Sequence, residues 1–391
     1  MSIASSQAQT FLRLVDRLRT RWRSDPALPR QIQTLLAGER AFGSRDRRLY
    51  RELLYTTLRY LPWVEPLLDS DRDAAVQVVA TCAAESPATR AFRAEFAQAA
   101  PPAGDKSVLL PDWFRDHCPD LFAGEELATQ LRRAPLWLRL QTDAGGRAET
   151  FAEFADRGWR WQASAILPDA IQVHDEVDVT QSHAWRAGRI EVQDLGSQLV
   201  LATVGIKPGE RWLDACAGAG GKSLQLARLL GPEGRVDAHD IRPAALEELA
   251  LRARRAQMTT IRIVSQAAPG KYAGVLVDAP CSGSGTWRRS PHLKWTTRPA
   301  AVAEHAALQL KLLRQFSAAV RPGGTLVYAT CSLSHVENED VVAAFLTQQP
   351  DFAPAPFART FDLTPRGAGL LVLPSRHDTD GFYVALLQRQ R

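Results

Sequence analysis

Read as apolar and polar positions alone, the chain falls into three stretches. Through residues 1–100 the apolar positions recur at helical spacing. FLRLVDRLRTRW (11–22) carries one such stripe, and RDRRLYRELLYTTLRYL (45–61) sets a Leu/Tyr face against an arginine-rich one, with Ser44 as the expected N-cap. This spacing predicts an all-helical domain, bounded here at residues 1–128. The Pro/Gly/Ala-rich stretch AQAAPPAGDKSVLLPD (97–112) reads as a connection. PLWLRLQT (135–142), AIQVHDEVDV (170–179) and GRIEVQDL (188–195) read as short strands around a helix in ETFAEFADRGW (149–159). They predict a small α+β module over residues 129–190.

From about residue 192 the pattern becomes strand alternating with helix, as in an open, doubly wound sheet. The predicted strands are RWLDACAG, GRVDAHDI, TIRIVSQ, AGVLVDAP, GGTLVYATCS and DGFYVALLQR. The predicted helices are QDLGSQLVLATVG, GKSLQLARLLG, RPAALEELALRARRAQ, AVAEHAALQLKLLRQFSAAV and VENEDVVAAFLTQQ. The expected fold is therefore α/β over residues 191–391, preceded by the helical domain and the small module. No apolar run reaches the roughly eighteen residues of a membrane span, and the N-terminal residues show no signal-peptide core. A cytoplasmic protein with no membrane partner is expected, and no feature demands more than a monomer.

Composition changes this picture in two respects. The 391 residues carry a net charge of +5, and only six of the 48 basic residues are lysines. An arginine excess follows either from genomic base composition or from a polyanionic partner, because arginine pairs bidentately with phosphate and stacks on bases. The face formed by Arg45, Arg47, Arg48, Arg51 and Arg59 is accordingly either a solvated bundle surface or an RNA-docking face. The five cysteines, Cys82, Cys118, Cys216, Cys281 and Cys331, form no CxxC pair and no Cys/His cluster, so neither a disulfide framework nor a metal site is expected.

Candidate chemistry gathers at the ends of the predicted strands. DACAGAGGKS (214–223) joins a strand to a helix through small residues, which lets backbone amides and a helix N-terminus approach a ligand closely. Asp214, Cys216, Ala217, Gly218, Ala219, Gly220, Gly221 and Lys222 are the residues of that loop. Asp240 ends the next strand, where a carboxylate can take a ribose diol. The spacing suits a nucleotide-like ligand without separating NAD from S-adenosylmethionine, and it is not a P-loop. Cys281 and Cys331 each follow an apolar run, VLVDAPC and LVYATC, which places both at the same sheet edge, with Asp278 beside Cys281. A thiolate there can attack an electrophilic carbon, and a second thiol can help undo the adduct. The other three cysteines read as small buried hydrophobes.

DAPCSGSGTWRRSPHLKW (278–295) and YATCSLSHVENEDVV (328–342) resemble the two cysteine motifs of the bacterial 16S ribosomal RNA cytosine-C5 methyltransferases and their nucleolar relatives, the Nop2/Sun family. VQDLGSQLV and DGFYVALLQR resemble motifs at the two ends of that family's catalytic domain, so the likeness covers roughly residues 130–391. FGSRDRRLYRELLYTTLRYL more loosely resembles the family's helical NusB-like domain, and the middle module would be RRM-like. The resemblance implies a Rossmann-like class I methyltransferase domain that uses S-adenosylmethionine on RNA, ribosomal RNA before transfer RNA. It implies Cys331 as the nucleophile at cytosine C6, Cys281 as the residue assisting release, Asp278 near N3 of the base, and Lys222 between cofactor loop and Asp278. Asp240 would hold the cofactor ribose. Gly218-Ala219 stands where the family usually has Ala-Pro, Gln266 where it tends to have an acidic residue near the adenine, and Gln141 where it usually has asparagine. Arg288, Arg289 and Lys294, directly after the cysteine loop, would contact phosphate. Trp287 and Trp295 would stack on bases or pin the loop. Two other readings share these residues: a non-catalytic RNA-binding assembly factor, and a DNA cytosine methyltransferase with Cys281 as nucleophile.

Overall fold

The protein is described by a computed structural model covering residues 2–390. Its contacts divide the chain into two units, residues 1–133 with Thr286–Pro299, and Ala134–Gly285 with Ala300–391.

The first unit is a helical bundle: α1 (Ile3–Leu18), α2 (Leu28–Gly38), α3 (Ser44–Arg59), α4 (Leu61–Ser70), α5 (Arg72–Cys82) and α6 (Arg90–Phe96). Phe11 and Val15 of α1, Leu53 of α3, Val64 of α4, Val79 of α5 and Phe92 of α6 meet in one core from which water is excluded. The cap of α3 differs from expectation. Gly43 is the N-cap, and Asp46 reaches back to accept a hydrogen bond from its N–H at 3.0 Å, while Ser44 is the first helical residue. A carboxylate in the first turn answers both the orphan amide and the helix dipole. Arg45, Arg47, Arg48 and Arg51 are exposed, but Arg59 is buried, so it leaves the basic face.

Residues Thr286–Pro299 belong to this helical unit. Trp287 is buried against Phe114 with ring centroids 4.7 Å apart, and the indole N–H of Trp295 donates to Leu58 O at 2.6 Å. Lys294 Nζ donates to the carbonyls of Arg59 (2.7 Å) and Leu109 (2.9 Å). Arg288 donates to Arg133 O at 3.1 Å, and its own carbonyl accepts from Arg59. Arg288 and Lys294 are only 1% and 2% exposed, which corrects their expected role: a cation spent on buried carbonyls cannot meet phosphate. Both tryptophans pin the segment. Arg289 alone of the three predicted RNA contacts is exposed.

In the second unit, β1 (Leu136–Leu140), β2 (Trp161–Ala163), β3 (Ala170–Val173) and β4 (Ile190–Val192) form an antiparallel sheet of order β2-β3-β1-β4. The helix Ala144–Asp156 covers it, with Phe154 and Leu138 in its core. The module foreseen from the sequence thus has its own sheet but belongs to the larger unit. Gln141, just past β1, is buried and donates to Leu224 O at 3.1 Å, a structural contact within that unit.

The main sheet contains β5 (Arg211–Asp214), β6 (Arg235–Ala238), β7 (Ile261–Ile263), β8 (Tyr272–Asp278), β9 (Val320–Thr330), β10 (Phe352–Pro354), β11 (Thr364–Arg366), β12 (Gly369–Val372) and β13 (Phe382–Arg389). Its order is β11-β12-β13-β9-β8-β5-β6-β7, with β10 beside β13. Strands β7, β6, β5, β8 and β9 run parallel, while β13 pairs antiparallel with β9. The apolar runs of β8 and β9 are continuous because helices cover parallel strands on both faces. After β5 the chain lays β6 and β7 to one side, then β8 and β9 to the other, which opens a crevice at the carboxyl ends of β5 and β8. No helix among the described residues is long and apolar enough to cross a membrane.

A candidate active site at the carboxyl edge of the main sheet

The site is assembled from strand ends. β5 delivers Asp214, and the loop after it turns into the helix Gly221–Leu230. Gly220 makes that turn at φ +88°, and a Cβ there would lie 2.7 Å from Leu249 Cγ, so only glycine fits. Arg252 holds the loop from outside by donating to Ala219 O at 2.7 Å, and is itself anchored on the buried Glu191 at 2.9 Å. Cys216 lies in this loop half-buried, and burial pushes its thiol up, so it carries no reactive thiolate.

Asp214 is 1% exposed, and burial pushes its carboxyl up to about 7. Ser223 donates to Oδ2 at 2.7 Å, whereas Oδ1 is buried with no hydrogen-bond partner. A buried acceptor left open beside a glycine loop fits a cationic group of a ligand. Asp240, two residues past β6, accepts from the Gly218 N–H at 2.8 Å and from the Arg242 guanidinium at 2.9 Å. The guanidinium contact holds its carboxyl down to about 2. Gln266 lies exposed three residues past β7, on the same sheet edge.

β8 ends in Asp278, and β9, its parallel neighbour, ends at Thr330, with Asp278 opposite Ala329. This register brings Cys281 and Cys331 together with Sγ atoms 3.2 Å apart. The hydrogen bond to Cys331, reinforced by burial, drives the Cys281 thiol well above its ordinary value. Lys222 is 7% exposed, pairs with Asp278 Oδ2 at 2.7 Å, and lies 5.1 Å from the ring centroid of Phe382. Asp278, Cys281 and Cys331 therefore share the edge of two adjacent strands, and Lys222 meets Asp278 there from the first turn of the helix Gly221–Leu230.

The two terminal motifs converge on the same place. Asp194 Oδ1 accepts from the Gly196 N–H (2.8 Å), the Thr379 hydroxyl (2.6 Å) and the Asp380 N–H (3.1 Å), tying QDLGSQ to DGFYV. Gly381 N–H then donates to Gly285 O at 2.8 Å, and Gly285 N–H to Cys331 O at 2.9 Å. A Cβ on Gly285 would fall 2.1 Å from Gly381 O, so the close approach needs glycine. Sequence reasoning missed Asp194, Phe382 and Arg242 as parts of the site. Their signal was position inside the motifs, which carries no role until the chain is folded. Among the described residues no group of three or more His, Cys, Asp or Glu could hold a metal ion.

Known proteins match this architecture. The family described as 16S rRNA methyltransferase RsmB/F matches residues 201–388. The probable ribosomal RNA small subunit methyltransferase B of Synechocystis sp. is 33% identical over 302 residues, covering 72% of this chain and 67% of that protein. Its counterpart in Bacillus subtilis is 31% identical over 307 residues, covering 72% of this chain and 66% of that protein. The chain thus spans about two thirds of the length of these curated relatives. The solved structure of NSun6 from Pyrococcus horikoshii with SFG shares the fold at 17% identity, with a TM-score of 0.63 over 72% of this chain and 98% of that one. The motifs, the strand-end site and these relatives agree: the chain belongs to the RsmB/F family of S-adenosylmethionine-dependent 16S rRNA methyltransferases.

Proposed function

We propose that this protein transfers a methyl group from S-adenosylmethionine to C5 of a cytosine in RNA, with small-subunit ribosomal RNA as the favoured substrate. The observation that carries the reading is the pair of cysteines, 3.2 Å apart on adjacent strand ends beside the Lys222–Asp278 ion pair. S-adenosylmethionine supplies a methyl group made electrophilic by its sulfonium. The residues present fit it: the open Oδ1 of Asp214 suits its amino-acid cation, and Asp240 suits a ribose diol.

The chain's own residues divide the remaining work. The Cys331 thiolate adds to C6 of the cytosine, forming an S–C6 bond and moving electron density to C5, the carbon that accepts the methyl group. Asp278 takes a proton from Lys222 and passes it to N3 as the thiolate adds, neutralising the charge that develops there, and the proton returns when Cys331 leaves. Loss of the C5 proton to a base re-forms the C5–C6 double bond and expels Cys331 as thiolate. Cys281, kept protonated by its hydrogen bond to Cys331 and by burial, donates a hydrogen bond to the departing sulfur. The target base must leave its stack to reach these groups.

Incubating the protein with S-adenosylmethionine and small-subunit RNA, followed by nucleoside mass spectrometry, tests this reading. The expected result is 5-methylcytidine with the native protein and none with Cys331→Ala. Tight cofactor binding with no 5-methylcytidine in ribosomal or transfer RNA would instead favour an RNA-binding assembly factor.

A further inference from the structure

Glu337 lies six residues past the expected nucleophile, is 0% exposed, and has no role in the mechanism above. Its carboxylate accepts four hydrogen bonds, all from neutral donors. Oε1 takes the Ser282 N–H at 2.8 Å and Gln309 Nε2 at 3.1 Å, and Oε2 takes the Ser282 hydroxyl at 2.5 Å and the Ser332 hydroxyl at 2.6 Å. Ser282 follows Cys281 and Ser332 follows Cys331, so one buried side chain grips the residue after each cysteine. The grip is braced on both sides. Gln309 also donates to Pro280 O at 2.9 Å, immediately before Cys281. Asn338 accepts from the Thr330 hydroxyl at 2.6 Å and donates to Ser332 O at 3.0 Å, flanking Cys331. Ser284 closes the ring by contacting the Ser332 hydroxyl at 3.1 Å and accepting from the Leu333 N–H at 2.8 Å.

A buried carboxylate is costly unless its oxygens are satisfied, and a hydrophobic residue would fill the same space more cheaply. What the carboxylate supplies is direction, because three donors from two loops and one from the helix Pro299–Ser317 converge on two oxygens. We propose that Glu337 is the positioning residue of the cysteine pair, clamping the loops after Cys281 and Cys331 so that their sulfurs stay in contact. This rests on the methyltransferase reading for what the sulfurs do, but not for where they are held. The negative charge of Glu337 also acts, after the Cys331 hydrogen bond and burial, to keep the Cys281 thiol protonated.

The contact can be read without any methyl transfer. Oxidised glutathione takes two electrons from a vicinal thiol pair, so Cys281 and Cys331 would close into a disulfide while the glutathione disulfide is cleaved to two glutathione thiols, which carry away the two protons. The equilibrium constant reports the effective concentration of one sulfur at the other. It is measured on the full chain by alkylation and peptide mass mapping of the Cys281–Cys331 pair. Glu337→Ala, which orphans all four donors, should lower the constant by at least about tenfold. Glu337→Gln keeps one accepting oxygen for the Ser282 N–H and faces its amide toward two hydroxyls able to accept, so it should fall between native and Ala. Ser332→Ala, which removes only one arm, should lower it by a few-fold and remains informative should Glu337→Ala fail to fold. A folded Glu337→Ala with the native constant overturns the proposal, as does a native constant in Ser332→Ala where Glu337→Ala is unfolded. In methyl transfer, Glu337→Gln should lower kcat while leaving KM for S-adenosylmethionine unchanged. A disulfide constant that tracks position 337 in a protein without methyl transfer would sustain the clamp and count against the reaction alone.

Discussion

Lys222 and Lys294 are nearly equally buried, at 7% and 2% exposed, and both follow motif loops that read as functional. They answer to different partners. Lys222 faces a carboxylate, Asp278, at the carboxyl edge of the main sheet. Lys294 faces two backbone carbonyls inside the helical unit, and burial together with Arg59 pulls its ammonium well below the ordinary lysine range. A buried cation paired with an anion at a strand end is held at the sheet edge where the proposed chemistry lies, whereas one spent on carbonyls ties loops together. Burial alone therefore does not mark a functional lysine, and the chemistry of the partner does.

The contrast can be broken most forcefully at Lys222. Lys222→Met leaves Asp278 without its counter-ion, and methyl transfer should fall by about 10²–10³-fold with little change in melting temperature, measured by single-turnover kinetics and calorimetry. Lys294→Met should show the opposite profile. It orphans the carbonyls of Arg59 and Leu109, and should cost about 1–3 kcal/mol in denaturant unfolding, with methyl transfer per folded molecule little altered.

Two smaller effects sharpen the site itself. The Asp214 carboxyl is raised to about 7, above its unfolded value, so it binds a proton more readily when folded. Only its charged form attracts a cation. Cofactor affinity should therefore rise about tenfold between pH 6 and pH 8, measured by calorimetric titration, and Asp214→Asn should flatten that dependence. Arg289 is the exposed member of the basic run after the cysteine loop. Arg289→Ala should weaken RNA binding a few-fold and reduce the salt slope of affinity by about one, with Arg45, Arg48 and Arg51 adding similar increments.

The strands of the main sheet were legible because parallel strands buried on both faces are continuous apolar runs, as in VLVD and LVYAT. β2, β10, β11 and β12 were not, being three- or four-residue strands at or near the sheet edges with too few positions to show a period. The strand-end placement of Asp214, Asp240, Asp278, Cys281 and Cys331 was legible for the same reason as the strands. The fate of TWRRSPHLKW was not. A run rich in arginine and lysine looks solvated, and nothing in its spacing reveals that backbone carbonyls of residues 59, 109 and 133 wait to receive it. Glu337 was hidden similarly, since its role exists only once β8 and β9 lie side by side.

The central claim is the division of labour between two touching thiols, and trapping the covalent complex tests it most directly. Cys281→Ala and Cys331→Ala are each incubated with substrate RNA and S-adenosylmethionine and run on a denaturing gel. The account predicts that Cys281→Ala accumulates a protein–RNA adduct, because the attacking thiolate remains and assisted release is lost, while Cys331→Ala forms none. An adduct in Cys331→Ala and none in Cys281→Ala would contradict it and make Cys281 the nucleophile.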